Sequence, residues 1–178
     1  MSAETRTGMR RGRGRGQLVS GYPSNARLDL PAAGNRPDGG LPAPIPEGAL
    51  YRPVARWLAE QGFVCWRDVS YLGCWIDLFA ERADGETIAV ELKVTDWKRG
   101  LRQAQIVQPA VNRTFLGLWA PYVHRAQTEI ATEGLRKSGI GLLSINGSCE
   151  QLRAAKHREA PFRRWVVPPA RASHRPQR

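Results

Sequence analysis

Two apolar runs, Ile76–Ala80 and Ile88–Leu92, flank the short polar stretch Ala83-Asp84-Gly85, and this pattern restricts the segment Trp75–Lys93 to a β-hairpin. Ala83-Asp84-Gly85 suits a three-residue loop with Gly85 in the left-handed position. Such a loop sets Arg82 opposite Glu86, and running the ladder back from there sets Asp77 opposite Glu91. Residues directly opposite share a face. Lys93, two residues beyond Glu91, shares it as well. The other face carries Ile76, Leu78 and Ala80 against Ile88, Val90 and Leu92, all apolar and expected as core. A two-residue Asp84-Gly85 loop would slip the register by one and turn Asp77 away from Glu91. The grouping therefore depends on the longer loop.

Polar side chains inside apolar strands are costly unless something offsets their burial. Two carboxylates can hold Mg²⁺, a hard cation that prefers oxygen ligands and keeps several waters. A bound metal acidifies water and polarises a phosphate, and a lysine beside it can orient or deprotonate the attacking water. Asp77, Glu91 and Lys93 are thus the candidate catalytic residues. A lone Glu-x-Lys on a strand is more simply an exposed ion pair. The register with Asp77 and the flanking core favour a site.

The net charge of +11 sits at the two ends of the chain. Residues 1–46 carry +4, residues 47–146 carry +1 and residues 147–178 carry +6. Basic ends suit nucleic acid or anionic surfaces, although solvated, disordered ends with no partner have the same composition. Only four of the 27 basic residues are lysines, a bias that suits phosphate contact and equally follows from genomic base composition. Cys65, Cys74 and Cys149 form no ligand pattern, and the first two read as reduced core residues. No apolar run is long enough to span a membrane, and the Arg-rich start lacks the apolar segment of a secretory signal. The default expectation is a cytoplasmic protein.

Residues 1–46, with six Pro, eight Gly and the run Arg10-Arg11-Gly12-Arg13-Gly14-Arg15-Gly16, read as a disordered tail. The folded domain is expected over 47–146. Leu50, Val54, Trp57 and Leu58 recur at helical spacing up to Gly62, with Pro53 either in the first turn or kinking the helix. Strands are expected at Phe63–Val69, Gly73–Glu81 and Glu86–Val94. A helix follows at Trp97–Gln108, capped by Thr95 or Asp96 and stopped by Pro109. A strand at Thr114–Ala120, a helix at Val123–Ser138 and a strand at Ile140–Ile145 complete a mixed sheet flanked by helices, an α/β (α+β) architecture. Residues 147–178 form a basic extension, with a short helix expected near Gln151–Lys156 and with Phe162 and Trp165 docking on the domain.

Asp77 followed by Glu91-Leu92-Lys93 at the end of the next strand resembles the PD-(D/E)XK, or restriction-endonuclease-like, nuclease superfamily, whose common core has the order αβββαβ. The resemblance covers about Glu47 to Ile145. It is nearest to small bacterial members in which an early helical Glu precedes Gln61-Gly62-Phe63, an Asp strand, Val90-Glu91-Leu92-Lys93 and the Gln103-Ala104 helix. Ile76 stands where the family has Pro. The resemblance implies a Mg²⁺-dependent nuclease, with Mn²⁺ as a substitute, acting on nucleic acid and foremost on DNA. It implies metal ligation by Asp77, Glu91 and the Leu92 carbonyl, with Glu47 and Gln103 as additional site residues. Lys98, Arg99 and Arg102 would line a backbone track, and Trp75 would lie in the core or stack on a base. Cutting both strands calls for two sites and hence a homodimer. A catalytically inactive nucleic-acid-binding module on the same fold, and an RNA- or ribosome-associated protein, are the competing readings.

Overall fold

The computed structural model describes residues 43–123 and 137–168. The expected N-terminal tail up to residue 42, most of the expected Val123–Ser138 helix and the chain beyond 168 lie outside the described residues. Among the described residues no helix is long and apolar enough to cross a membrane.

A 3-10 turn at Glu47–Leu50 leads into helix α1, Tyr51–Ala59. Leu50, Val54 and Leu58 fall at intervals of four and are fully buried. Pro53 lies in the first turn of α1, where its missing N–H has no acceptor to lose. Gly62, at φ 83°, then turns the chain into strand β1. Strands β1 (Phe63–Tyr71), β2 (Cys74–Arg82) and β3 (Thr87–Lys93) form an antiparallel meander. Helix α2 (Trp97–Val107) provides the crossover to β4 (Arg113–Trp119), which runs parallel to β3. Strands β5 (Gly141–Asn146), β6 (Ser148–Arg153) and β7 (Val166–Val167) complete a seven-stranded mixed sheet in the order β6-β5-β4-β3-β2-β1-β7. Residues 120–123 and 137–138, between β4 and β5, are helical.

The loop count predicted from sequence is the one observed. Arg82 N–H donates to the Glu86 carbonyl and Gly85 N–H to the Arg82 carbonyl, both at 2.9 Å, with Gly85 at φ 88°. The ladder runs from Glu81↔Thr87 to Leu78↔Val90. Leu78, Ala80, Ile88, Val90 and Leu92 pack beneath α1, while Phe79, Ala89, Leu116 and Leu118 belong to the clusters shared with α2. Ile76 departs from the expected set. It packs with Phe79 and Trp66 rather than with Leu78, so the alternation of faces breaks at Asp77. Opposite this break, Asp68 of β1 sits at φ 49°, and no pair is formed between Arg67↔Leu78 and Val69↔Ile76. The two strands kink together there.

The extension from residue 147 departs from expectation more widely. Gln151 to Arg153 lie in strand β6, not in a helix. Gly147, at φ 71°, reverses the chain so that Ser148 pairs with Asn146, and pairing with β5 then satisfies the backbone. Phe162 and Trp165 remain exposed. The residue that docks is Val166, which β7 carries against Tyr71. The sheet therefore continues past the boundary expected at residue 146, as far as Val167.

A methyl added at Gly85 would meet open space, so substitution there tests the backbone alone. Gly85→Val should lower stability by about 1–2 kcal/mol, and Gly85→Asn by distinctly less, as read by urea denaturation. Equal stability of the two variants would show that the loop does not require the left-handed conformation.

Candidate active site

Strand β3 is the fourth of seven and is buried along its whole length. Among its apolar residues it carries Glu91, fully buried, and Lys93, nearly so. In an antiparallel pair, hydrogen-bonded and non-hydrogen-bonded residues alternate. The Arg82–Glu86 bond makes 82/86, 80/88 and 78/90 the bonded pairs, so the next main-chain acceptor for Leu92 N–H would belong to Ile76. Asp77 takes its place: its Oδ2 accepts from Leu92 N–H at 2.9 Å. The strands stop pairing and a carboxylate bridges them. The same Oδ2 lies 3.3 Å from Lys93 Nζ. Lys93 Nζ also donates to the Leu92 carbonyl at 2.7 Å and lies 3.8 Å from Glu47 Oε1.

Asp77, Glu91, Lys93 and Glu47 are thus gathered where β2 and β3 part. Glu47 comes from the turn that precedes α1, and its side chain is half exposed. Glu91 is the group under most electrostatic pressure. Burial first, then the neighbouring Asp77 charge, raise its carboxyl from 4.5 to about 9. Both Glu91 oxygens are buried, and among the described residues no nitrogen or hydroxyl donor reaches them; the protonated carboxyl shares its hydrogen with Asp77. A divalent cation could take the place of that shared proton between the two acids. The donors available are Glu91, the Asp77 oxygen left free by Leu92, and the Leu92 carbonyl now held by Lys93. Among the described residues no group of three or more His, Cys, Asp or Glu side chains is arranged to hold a metal. Mg²⁺ does not demand one, since one or two carboxylates with retained waters suffice.

The remaining expected residues are dispersed. Gln103, on α2, has a buried Oε1 without a partner, but no contact ties it to the carboxylates. Lys98, Arg99 and Arg102 are exposed on α2. Lys98 lies over the Trp97 ring, and Arg99 N–H donates to Asp96 Oδ1, which caps the helix. Trp75 is exposed rather than packed in the core. Three neighbours of the site escaped the sequence reading. A methyl on Gly100 would meet Lys93 Cγ and Leu116 Cδ1, each at 2.7 Å, so the bare backbone of α2 makes room for the Lys93 stem. Tyr51 and Arg67 stack at 3.9 Å. Burial and the charge of Asp77 push the Tyr51 hydroxyl far above its ordinary range. The one legible signal was a glycine in the interior of an amphipathic helix, a costly choice without a packing reason.

No family model matches the chain, and no curated protein does. Among solved structures it is similar to a protein of unknown function from Silicibacter pomeroyi, with 24% identity and a TM-score of 0.52. The match covers 65% of this chain and 75% of that one, and it is a likeness of fold.

The Glu91 shift has a definite sign. Unfolding frees Glu91 to ionise in the ordinary carboxylate range near 4.5, whereas the folded chain keeps its proton until about 9. The folded state then binds more protons than the unfolded one, so without divalent cations stability falls as pH rises across that window. Urea midpoints measured against pH should show this decline in the wild type and a flatter profile in Glu91→Gln. Parallel profiles would show that Glu91 titrates normally. Gly100→Ala should destabilise by about 1–3 kcal/mol through overpacking, despite the better helix propensity of alanine. A gain in stability would remove the role assigned to this glycine.

Proposed function

We propose that the chain is a Mg²⁺-dependent nuclease of the restriction-endonuclease-like type, hydrolysing phosphodiester bonds in DNA. The observation that carries the reading is the fully buried Glu91 carboxyl, set against Asp77 and Lys93 where two central strands separate. The order α1-β1-β2-β3-α2-β4 supports it, being the order expected of that core. An ordinary ion pair of Lys93 with Asp77 would not need a second, fully buried acid beside it.

Phosphodiester hydrolysis requires an activated water, screening of the phosphate charge and stabilisation of the leaving oxygen. Asp77, Glu91 and the Leu92 carbonyl would hold Mg²⁺, which supplies a more acidic water and a positive charge at the phosphate. Asp77 keeps one oxygen fixed by Leu92 N–H, so its carboxylate enters the site already oriented. To serve as a ligand Glu91 would have to release its proton, which a cation held between it and Asp77 would favour. Lys93 has a buried stem and an amino group held by Asp77 and the Leu92 carbonyl. From there it can donate to an attacking water or to a phosphate oxygen. Glu47, at the exposed edge, can complete the shell or hold a water. The basic ends of the chain supply phosphate affinity independent of sequence.

Cleavage of plasmid and single-stranded DNA should require Mg²⁺ or Mn²⁺ and should fall by about 10²–10⁴-fold in Lys93→Ala. Asp77→Asn and Glu91→Gln should be inactive. Mg²⁺ should raise the melting temperature of the wild type but not of these two carboxylate variants. DNA binding without cutting, together with a melting temperature indifferent to Mg²⁺, would instead identify an inactive binding module and remove the enzyme reading.

A further inference from the structure

We propose that the tip of the β1–β2 hairpin, beside Asp77, is a platform for the unpaired bases of single-stranded DNA, with Trp75 as the stacking face and Arg67 as a phosphate contact. The choice of ligand rests on the nuclease reading of the adjoining carboxylates.

Trp75 lies in a strand two residues from Asp77, about 7 Å along β2, yet it is 42% exposed. Its cross-strand neighbour Ser70 is also opposite Val167, itself 64% exposed. Trp75, Ser70 and Val167 therefore make one uncovered row across three strands. The turn at the end of this row is Leu72-Gly73, with both residues at positive φ. Such turns favour Asn or Gly, and a leucine at φ 44° is strained. Leu72 is also 62% exposed, so burial of its side chain does not offset that strain. An exposed apolar residue held in an unfavourable backbone conformation points to a task for the tip outside the fold.

Arg67 supplies the charge. Its guanidinium stacks on Tyr51, and among the described residues it is ion-paired with no carboxylate. Arg67 of β1 pairs with Leu78 of β2, the residue that follows Asp77. An aromatic face and a planar cation are the parts that bind single strands, whose bases leave their π-faces open whereas a duplex covers them. The competing occupant of the uncovered row is a second copy of this chain.

The test is fluorescence anisotropy of a labelled oligothymidylate and of its duplex with oligoadenylate, in EDTA so that no cleavage occurs. The wild type should prefer the single strand. Trp75→Ala should weaken single-strand binding about 5–100-fold, and Trp75→Phe only a few-fold. Arg67→Gln should reduce the slope of log K against log salt by about 0.7. Trp75 is exposed, so its variants should keep the wild-type melting temperature. Unchanged binding by Trp75→Ala, or equal binding of duplex and single strand, would overturn the proposal. So would a dimer, seen by sedimentation, that Trp75→Ala converts to monomer while DNA affinity stays the same. Binding lost in Trp75→Ala alongside a wild type that cuts no DNA would refute the nuclease reading alone. Intact cutting with Trp75-independent binding would refute the platform alone.

Discussion

A single carboxylate oxygen standing in for a main-chain carbonyl organises the centre of this protein. Where β3 expects Ile76 to accept its next N–H, Asp77 accepts it through a side chain. The exchange keeps the buried Leu92 N–H hydrogen-bonded. It does change the shape of the sheet. The two strands no longer need to lie side by side beyond Leu78 and Val90. The gap gives Glu91 and Lys93 a common space with the turn ahead of α1. The kink shared by Asp68 and Asp77 is the outer part of the same departure, since β1 must follow β2 as it turns.

The energetics of this centre are lopsided. A lysine amino group with three oxygen neighbours is well served. A fully buried acid set against a second carboxylate is not. The fold tolerates Glu91 because β3 is paired with β2 up to Val90 and with β4 through Lys93, and is covered on both faces by apolar clusters. A position so constrained cannot move its side chain to water, and the strain appears as a displaced proton affinity instead. Sites built this way trade stability for readiness.

Much of this was legible in the sequence because it depended on short-range rules. Gly85 and the three-residue loop set the register as far as Leu78↔Val90; the expected Asp77↔Glu91 pair beyond it does not form, because the Asp77 side chain bonds Leu92 N–H where the strands part. Local chemistry narrowed Pro53 to a first-turn residue or a kink and the α2 cap to Thr95 or Asp96, and the structure takes the first turn and Asp96. What was missed depended on contacts distant in sequence. Ile76 changed sides because of an irregularity at Asp68, a residue of another strand. Residues 148–153 became a strand because β5 offered a free edge, which outweighed their helical composition. Gly100 and Arg67 gained meaning only once Lys93 and Tyr51 were seen beside them.

The return of the chain from β6 to β7 has a further consequence. These strands are the two opposite margins of the sheet. The stretch between them crosses from one margin to the other, fastened by Lys156 N–H to Gly139, Arg158 N–H to Asn112 and Phe162 N–H to Pro109. During synthesis the central strands emerge first and the residues that close both flanks emerge last. Until then the nascent sheet presents two open edges, each a template for pairing with another chain. Those edges are β5 and the nine-residue β1 until β6 and β7 have formed; afterwards the polar β6 and the two-residue β7 take their place.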